Sequence, residues 1–160
     1  MSPLTAFSEP TRAWFAAHLG EPTPPQALGW PAIQRGEHTL ILSPTGSGKT
    51  LAAFLWAIDR LYAEPAAGEA PSGVRLLYIS PLKALNNDIE RNLRAPLEGV
   101  RAAARDLGQP LPELRVAVRT GDTPAKARMA MLKRPPHILI TTPESLYLML
   151  TGSRARELFR

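Results

Sequence analysis

The stretch that decides the fold is residues 43–50, SPTGSGKT, which stands between a short apolar run and a helical apolar pattern. The run before it, residues 39–42, is continuously hydrophobic and predicts a parallel strand buried on both faces. After it, apolar residues between 51 and 62 recur at helical spacing and predict a helix of about four turns. A glycine-rich turn between a strand and a helix is typical of a phosphate-binding loop.

Within this loop, Gly46 and Gly48 allow backbone conformations that turn successive N–H groups toward a phosphate at the positive end of the helix. Lys49, the candidate catalytic residue, supplies a mobile cation for the β- and γ-phosphates, and the Thr50 hydroxyl can ligate Mg²⁺. Ser43 replaces the usual glycine, and we expect this to be tolerated because it lies outside the tight turn. The residues expected to bind ATP here are Thr45, Gly46, Ser47, Gly48, Lys49 and Thr50. Kinases, GTPases, transporters and motors share such loops, so the loop alone selects no function.

The rest of the chain alternates apolar strand patterns with amphipathic helical patterns. Strands are predicted at residues 74–79, 114–118 and 137–140, and helices at 82–93, 97–107 and 123–132. A polar segment at 64–73 is predicted to be an exposed loop. This order predicts an α/β fold with a doubly wound parallel sheet, whose ligands bind at the carboxyl ends of the strands.

Composition limits the class of protein. Nineteen Lys and Arg residues against fourteen Asp and Glu residues favour acidic partners, although a solvated basic surface explains this balance equally well. The absence of cysteine excludes disulfides, thiolate zinc sites and cysteine nucleophiles. His18, His38 and His137 have no metal-ligand spacing and are interpreted as structural. With no signal peptide and no apolar run of membrane length, the chain is expected to be soluble and cytoplasmic.

Five segments in order carry a resemblance to a known family. They are PTPPQ at 22–26, SPTGSGKT at 43–50, SPLKAL at 80–85, TGDT at 120–123 and TTPESL at 141–146. Together they resemble the first motor domain of a superfamily 2 DEAD/DEAH-type helicase, and more narrowly the large helicase-related (Lhr) group. The resemblance covers residues 14–159. It implies a RecA-like P-loop NTPase fold, ATP and Mg²⁺ as cofactors, and an ATP-dependent DNA or RNA helicase activity.

By this resemblance, Gln26 recognises adenine through a bidentate contact of its amide, whose donor and acceptor suit the edge of the base. Without the resemblance, Gln26 is an exposed residue in the first turn of an N-terminal helix. Either Trp14 or Phe15 walls the adenine site or packs in the core. Trp30 and Trp56 are assigned to the core.

The same resemblance implies that three strand-end loops bind nucleic acid. The candidate residues are Pro81, Lys83, Asn86, Gly121, Asp122, Thr123, Thr142, Pro143 and Ser145. Because the loops are rich in donors and lack aromatic rings, we expect contacts to phosphate and sugar of a single strand of DNA or RNA, independent of base sequence. A plain helix cap is the alternative for the loop at 80–86. Asp122 and Glu144 are expected to cap helices or to orient a cation, and Arg119 is a phosphate contact or an ordinary strand-end arginine.

The resemblance also sets expectations for domain organisation. Residues 1–35 are expected to form a helical lead with the adenine-recognition motif, and residues 36–160 part of the ATP-binding domain. The family's Asp-Glu magnesium motif and the second motor domain, an expected partner, do not follow, so the domain is expected to be incomplete and inactive alone. A non-catalytic binding fragment, or another P-loop nucleotidase or kinase, is the alternative, although no Arg-rich lid segment supports a kinase.

Overall fold

The computed structural model of the chain describes residues 2–63, 73–81 and 83–159, with every side chain in them except those of residues 83–88 and 91. The helices are α1 (Glu9–His18), α2 (Pro24–Gln34), α3 (Lys49–Ala63), α4 (Lys83–Asp106), α5 (Ala125–Lys133) and α6 (Pro143–Thr151), followed by a 3-10 helix (Ala155–Phe159). The strands are β1 (Leu76–Ile79), β2 (Val116–Arg119) and β3 (Ile138–Thr141). Of the loop predicted at 64–73, only residue 73 lies inside the described residues. None of the described helices is long and apolar enough to cross a membrane.

The three strands form one parallel sheet in the order β1-β3-β2. The middle strand, β3, is buried at all four positions, as expected for three apolar residues followed by Thr141, whose hydroxyl is hydrogen-bonded. Helices connect the strands, because parallel neighbours cannot be joined by a short hairpin turn. The predicted α/β class, three of the four predicted strands and the helices after residues 48 and 123 are confirmed, with bounds shifted by one or two residues.

The prediction of a strand at residues 39–42, the first of the four in the sequence, is wrong. This segment has no strand pairing, and Leu40 and Leu42 are 82% and 83% exposed. Only Ile41 turns inward, where its side chain would lie 3.3 Å from a Cβ added at Gly29 of α2. A hydrophobic run becomes a strand only when a neighbour accepts its backbone hydrogen bonds, and β1, β2 and β3 pair with each other instead.

The two helices predicted at 82–93 and 97–107 are one helix, α4, which continues through Pro96. A proline inside a helix removes one backbone hydrogen bond and costs about 3 kcal/mol. Apolar residues buried on both sides of it offset this cost, among them Leu93 at 1% exposure and Val100 at 0%. Leu82, the first apolar position of the predicted pattern, lies outside the described residues.

The chain divides into two compact units. Unit 1 comprises residues 1–68 and 96–112, and unit 2 comprises residues 69–95 and 113–160. Helix α4 belongs to both units, and the division falls at Pro96. The domain boundary expected between residues 35 and 36 stays a prediction. Helix α2 precedes this boundary and α3 follows it, and the two helices pack on each other in unit 1.

An aromatic cluster forms the core of unit 1. Trp30 is fully buried, packs edge-on against Phe7 and Phe15, and donates from Nε1 to the carbonyl of Ala52 at 3.1 Å. Trp14 is 6% exposed and also belongs to the core, so core packing is what the structure gives for the Trp14–Phe15 pair. Trp56 is only half-buried, with the Arg60 guanidinium 4.6 Å from its ring centre.

A buried carboxylate joins the first helix to α3. Asp59 is 0% exposed and accepts hydrogen bonds from the backbone N–H of Ser8 at 3.0 Å and from its hydroxyl. Ser8 is the residue before the first turn of α1, where a backbone N–H lacks a helical partner. Asp59 therefore fixes the N-terminus of α1 onto α3.

The core of unit 2 lies under β3. Leu139, Met149 and Leu158 are buried together, and Met131 and Leu132 of α5 pack against them. His137 accepts a hydrogen bond through Nδ1 from the backbone N–H of Arg115 at 2.9 Å, which supports its interpretation as structural.

Candidate nucleotide and nucleic-acid sites

The loop at 43–50 has the backbone geometry of an anion-binding nest. Gly46 and Gly48 have φ angles of +80° and +85°, in the left-handed region that favours glycine. In the described part of the chain, the backbone N–H groups of Gly46, Gly48, Lys49 and Thr50 donate to no protein acceptor. They lie at the start of α3, where free N–H groups and the helix dipole favour a negative charge.

The ammonium of Lys49 folds back over the loop. Its Nζ donates to the carbonyl of Ser43 and to that of Pro44, the latter at 2.6 Å. These neutral acceptors hold a cation less strongly than phosphate oxygens do. Lys49 can therefore exchange the two carbonyls for the phosphates of a bound nucleotide.

Two side chains of the loop bond to each other across it, and two others are exposed to solvent. The hydroxyls of Ser43 and Ser47 are 2.6 Å apart and bridge the loop, a contact that glycine at position 43 could not make. Thr45 and Thr50 are exposed, so the Thr50 hydroxyl is accessible to a metal ion bound with nucleotide. The predicted loop residues are thus brought together in one turn.

The glutamine predicted to recognise adenine lies against this loop. Gln26 is 3% exposed, and its Nε2 is 3.4 Å from the carbonyl oxygen of Gly48. Its Oε1 accepts the backbone N–H of Thr23 at 2.9 Å, which closes a capping box at the start of α2. The alternative interpretation of Gln26 is an exposed residue in the first turn of a helix. Gln26 does lie in the first turn of α2, but it is buried.

Thr23 is a contact to the loop that the sequence analysis missed. Its hydroxyl donates to the carbonyl of Ser47 at 2.8 Å, so Thr23 and Gln26 hold consecutive peptide groups of the loop. The signal was present, since Thr-x-x-Gln is a capping box pattern that marks residue 23 as the start of a helix. The pattern does not say which loop the cap contacts.

In unit 2, the strand-end loops share one edge of the sheet. In the parallel register, Thr141 of β3 pairs with Ile79 on one side and Arg119 on the other. The Ser80 N–H donates to the Thr141 carbonyl at 2.9 Å, and the Thr141 hydroxyl donates to the Arg119 carbonyl at 2.6 Å. The expectation that the three loops emerge side by side holds for these residues.

The turn at 120–123 is held from inside and from α5. Its backbone is closed by the Thr120 N–H, which donates to the Thr123 hydroxyl at 2.8 Å. Arg128 donates from Nε to the Thr123 carbonyl and from Nη2 to the Gly121 carbonyl, both at 2.7 Å. Gly121 and Asp122 are exposed, and the N-cap of α5 is Pro124, so Asp122 does not cap this helix. No sequence pattern indicated Arg128.

The loop after β3 is mostly a helix cap. Thr142 is 2% exposed and is the N-cap of α6, accepting the Ser145 N–H at 3.4 Å through its hydroxyl. Ser145 is 7% exposed. Both side chains take part in the cap, and nucleic-acid binding by Thr142, the exposed Pro143 and Ser145 stays a prediction. Glu144 lies in the first turn of α6, where its negative charge interacts favourably with the positive end of the helix dipole.

The loop after β1 is described in part. Pro81 is exposed, and Lys83 is the first residue of α4. The side chains of Lys83 and Asn86 lie outside the described residues, so their role in binding stays a prediction.

Arg119, at the end of β2, is a half-buried cation. Burial lowers the pKa of its guanidinium, and the charge of Arg128 lowers that pKa further. Its Nη1 is buried and has no acceptor among the described residues. A guanidinium that has one buried nitrogen without an acceptor and feels the charge of a second arginine favours a nearby anion.

The positive charge of the chain belongs to one unit. Unit 1 contains six Lys and Arg against seven Asp and Glu, whereas unit 2 contains thirteen against seven. The net charges are −1 and +6, and they sum to the +5 of the chain. The unit with the strand-end loops is the basic one, as binding to a polyanion requires.

A family model described as DEAD/DEAH box helicase matches residues 23–160, which include the phosphate loop and all three strand-end loops. The chain belongs to the DEAD/DEAH box helicase family. The helicase resemblance in the sequence is therefore confirmed, and the parallel sheet matches the RecA-like fold of such proteins.

Within this helicase family the chain is similar to Lhr proteins. It is 59% identical over 155 residues to an Lhr helicase/probable uracil glycosylase of Mycolicibacterium smegmatis, covering 97% of the chain and 10% of that protein. It is 47% identical over 150 residues to ATP-dependent helicase Lhr-Core of Methanocaldococcus jannaschii, covering 94% and 18%. The structure of Mycobacterium smegmatis helicase Lhr bound to ssDNA and AMP-PNP has a TM-score of 0.91 and 55% identity, covering 99% and 19%. The chain thus spans between a tenth and a fifth of these proteins.

A pair of glycine variants tests whether Gln26 sets the shape of the phosphate loop. A Cβ at Gly48 would lie 2.6 Å from Gln26 Nε2 and 3.1 Å from Thr23 Oγ1, whereas a Cβ at Gly46 meets nothing within 4 Å. Both Gly→Ala changes incur the left-handed penalty of about 1–2 kcal/mol. Gly48→Ala should cost about 1–3 kcal/mol more, measured by urea unfolding, because it displaces the amide. Equal losses in the two variants would show that the Gln26 contact does not restrain the loop.

Proposed function

We propose that the chain is the nucleotide-binding portion of the first motor domain of an ATP-dependent helicase and also binds a single strand of DNA or RNA. The observation that carries the proposal is the loop at 43–50, with its free N–H groups, two left-handed glycines and Lys49. Membership of the DEAD/DEAH box helicase family selects a motor among the enzymes that use such loops.

In the proposed complex, the N–H groups of Gly46, Gly48, Lys49 and Thr50 bind phosphate oxygens of ATP. Lys49 leaves the Ser43 and Pro44 carbonyls and neutralises the β- and γ-phosphates. Mg²⁺ would be held by the exposed Thr50 hydroxyl and would supply neutralisation of charge between these phosphates. These residues fit a nucleotide phosphate with its Mg²⁺, because N–H groups without a protein acceptor lie next to an exposed hydroxyl at the start of α3.

Adenine recognition is assigned to Gln26. Its amide already spans the start of α2 and the loop, with Oε1 on Thr23 and Nε2 near Gly48. The carbonyl oxygen has a second lone pair and the NH₂ group a second hydrogen, which together match a donor and acceptor pair on a base edge. The same side chain would then sense the base and hold the phosphate loop.

Nucleic-acid binding is assigned to the strand-end loops of unit 2. Three features support it: the common edge of the loops, the exposed turn at Gly121 and Asp122, and the net charge of the unit. Contacts to phosphate and sugar make binding independent of base sequence. The solved Mycobacterium smegmatis relative was bound to ssDNA and AMP-PNP. Strand movement driven by ATP would require a second motor domain as partner, and it belongs to the whole protein.

Three ligand measurements on the unaltered chain test the proposal as a whole. They are titration with ATP, titration with single-stranded DNA or RNA, and ATP hydrolysis with and without the strand. ATP binding together with strand binding supports the proposal, and strand-stimulated hydrolysis in the longer protein separates a motor from a simple binding module. Binding of neither ligand would overturn it.

Lys49→Ala should remove most of the affinity for ATP. The change takes away the mobile cation that neutralises the β- and γ-phosphates, while the loop backbone stays in place. Titration calorimetry measures the effect, and Arg154→Ala is the matched control because Arg154 is an exposed cation of unit 2 that is assigned to no site. ATP affinity unchanged by Lys49→Ala would contradict the assignment of the loop.

Gln26→Glu should abolish the preference for ATP over GTP. A carboxylate retains the acceptor for the Thr23 N–H and so preserves the capping box, but it loses the NH₂ donor that adenine recognition needs. Gln26→Ala should lose both the preference and some stability. The readout is the ratio of ATP to GTP affinity, because added charge weakens both nucleotides alike. If the unaltered chain binds ATP and GTP equally, Gln26 has no role in base recognition.

Lys83→Ala should flatten the salt dependence of single-strand binding by about one unit of slope, with a modest loss of affinity that is similar for all base sequences. Loss of one lysine–phosphate contact releases one fewer counterion, which gives this slope change. Arg154→Ala is the control, since Arg154 is an exposed cation of unit 2 outside the strand-end loops. Equal slopes for the unaltered chain and Lys83→Ala would place the binding track elsewhere on the protein.

A further inference from the structure

Helix α5 has one packed face and one basic face. Met131 and Leu132 pack against the core of unit 2, and no residue of the helix is fully buried. On the other face, Lys126 and Lys133 are exposed and stand seven residues apart, which places them on the same side of the helix about 10.5 Å apart along its axis.

No acidic residue lies on α5, and none pairs with its basic face in the part of the chain that the structure describes. Between Asp122 and Glu144 the sequence contains no acidic residue at all, while it contains two lysines and two arginines. Across the described ranges, neither Lys126, Lys133 nor the C-cap residue Arg134 forms an ion pair. A helix face that is merely solvated commonly mixes both signs of charge, as α4 does with its Arg94–Glu90 pair at 2.5 Å.

Neighbouring cations crowd each other around the same helix. The charge of Arg128 lowers the pKa of Arg119, and the charge of Arg134 lowers the pKa of Arg115, each after a larger effect of burial. Unit 2 therefore gathers positive charge at both ends of α5. Such a potential attracts a polyanion and raises its rate of association.

The turn that precedes α5 is fastened to it. Arg128 donates from Nε to the Thr123 carbonyl and from Nη2 to the Gly121 carbonyl, so two hydrogen bonds tie the turn to the helix. The first turn of α5, where Lys126 begins the basic face, directly follows the exposed turn at Gly121. A phosphate backbone bound at that turn could therefore continue along α5.

We propose that the exposed face of α5, with Lys126, Lys133 and Arg134, is a second phosphate-binding surface that takes the phosphodiester backbone of nucleic acid beyond the strand-end loops. The inference extends the proposed strand binding and uses none of the residues assigned to it. The shared chemistry is the phosphodiester, which either the continuing single strand or an adjoining duplex can present.

The test compares two double variants of the full chain with equal loss of charge. Lys126→Ala/Lys133→Ala removes the basic face, and Arg154→Ala/Arg156→Ala removes two exposed cations of the same unit outside α5. Binding is measured against salt concentration for a single strand and for a duplex with a single-stranded tail. Thermal unfolding checks that both variants keep the fold, as expected for exposed positions.

The α5 variant should lose about 1.5 units of salt slope and about tenfold in affinity at low salt, and the control pair should lose little. A loss with both substrates identifies the single strand as the ligand of α5, and a loss confined to the tailed duplex identifies the duplex. Lys126→Arg/Lys133→Arg should retain the slope, because the charge is kept.

Unchanged slopes in the α5 variant, or equal losses in both double variants, would overturn the inference. If Lys83→Ala still lowers the slope in that case, the strand-end loops remain the binding site and only the second surface fails. If the unaltered chain binds neither substrate, the proposed function fails with it.

Discussion

The hydrogen bonds from Thr23 and Gln26 to the carbonyls of Ser47 and Gly48 are the constraint on which unit 1 depends. They bring the start of α2 against a loop more than twenty residues away, and they leave no room for a side chain at Gly48. Because the loop carbonyls are engaged on this side, its N–H groups remain available on the other. The same two residues form the capping box of α2, where the Thr23 N–H donates to Gln26 Oε1, so one pair of side chains serves both the helix start and the phosphate nest.

Charge separates the tasks of the two units. Unit 1 is nearly neutral and positions one ammonium group at a helix terminus, where a local contact with a small anion is needed. Unit 2 carries the whole excess of positive charge and spreads it over strand ends and α5. A nucleotide is held by directed donors, whereas a long backbone is held by many weak contacts that are screened by salt.

Much of the architecture was predictable because it depends on local patterns. Glycine-rich turns, periodic apolar residues and polar strand ends located the loop at 43–50, helix α3, the three paired strands and their common edge. What failed depends on tertiary partners. Residues 39–42 have the sequence of a buried strand without a neighbour in the sheet, so the strand predicted there is wrong. The cap formed by the Thr142 and Ser145 side chains was not foreseen, and their binding of nucleic acid stays a prediction. Arg128 could not be found, since its role is set by two carbonyls brought to it by the turn.

Helix α4 is one helix in its geometry, but its two halves belong to different compact units. It is one continuous helix, yet Pro96 lacks a backbone N–H, and the division of the chain into two compact units falls at this residue. Its halves belong to different compact units, so we expect them to open in separate cooperative events. Amide hydrogens on either side of Pro96 would then exchange with solvent at rates set by different units. The sequence pattern predicts two helices where the backbone forms one, and the break between the two predicted helices coincides with the division between the units.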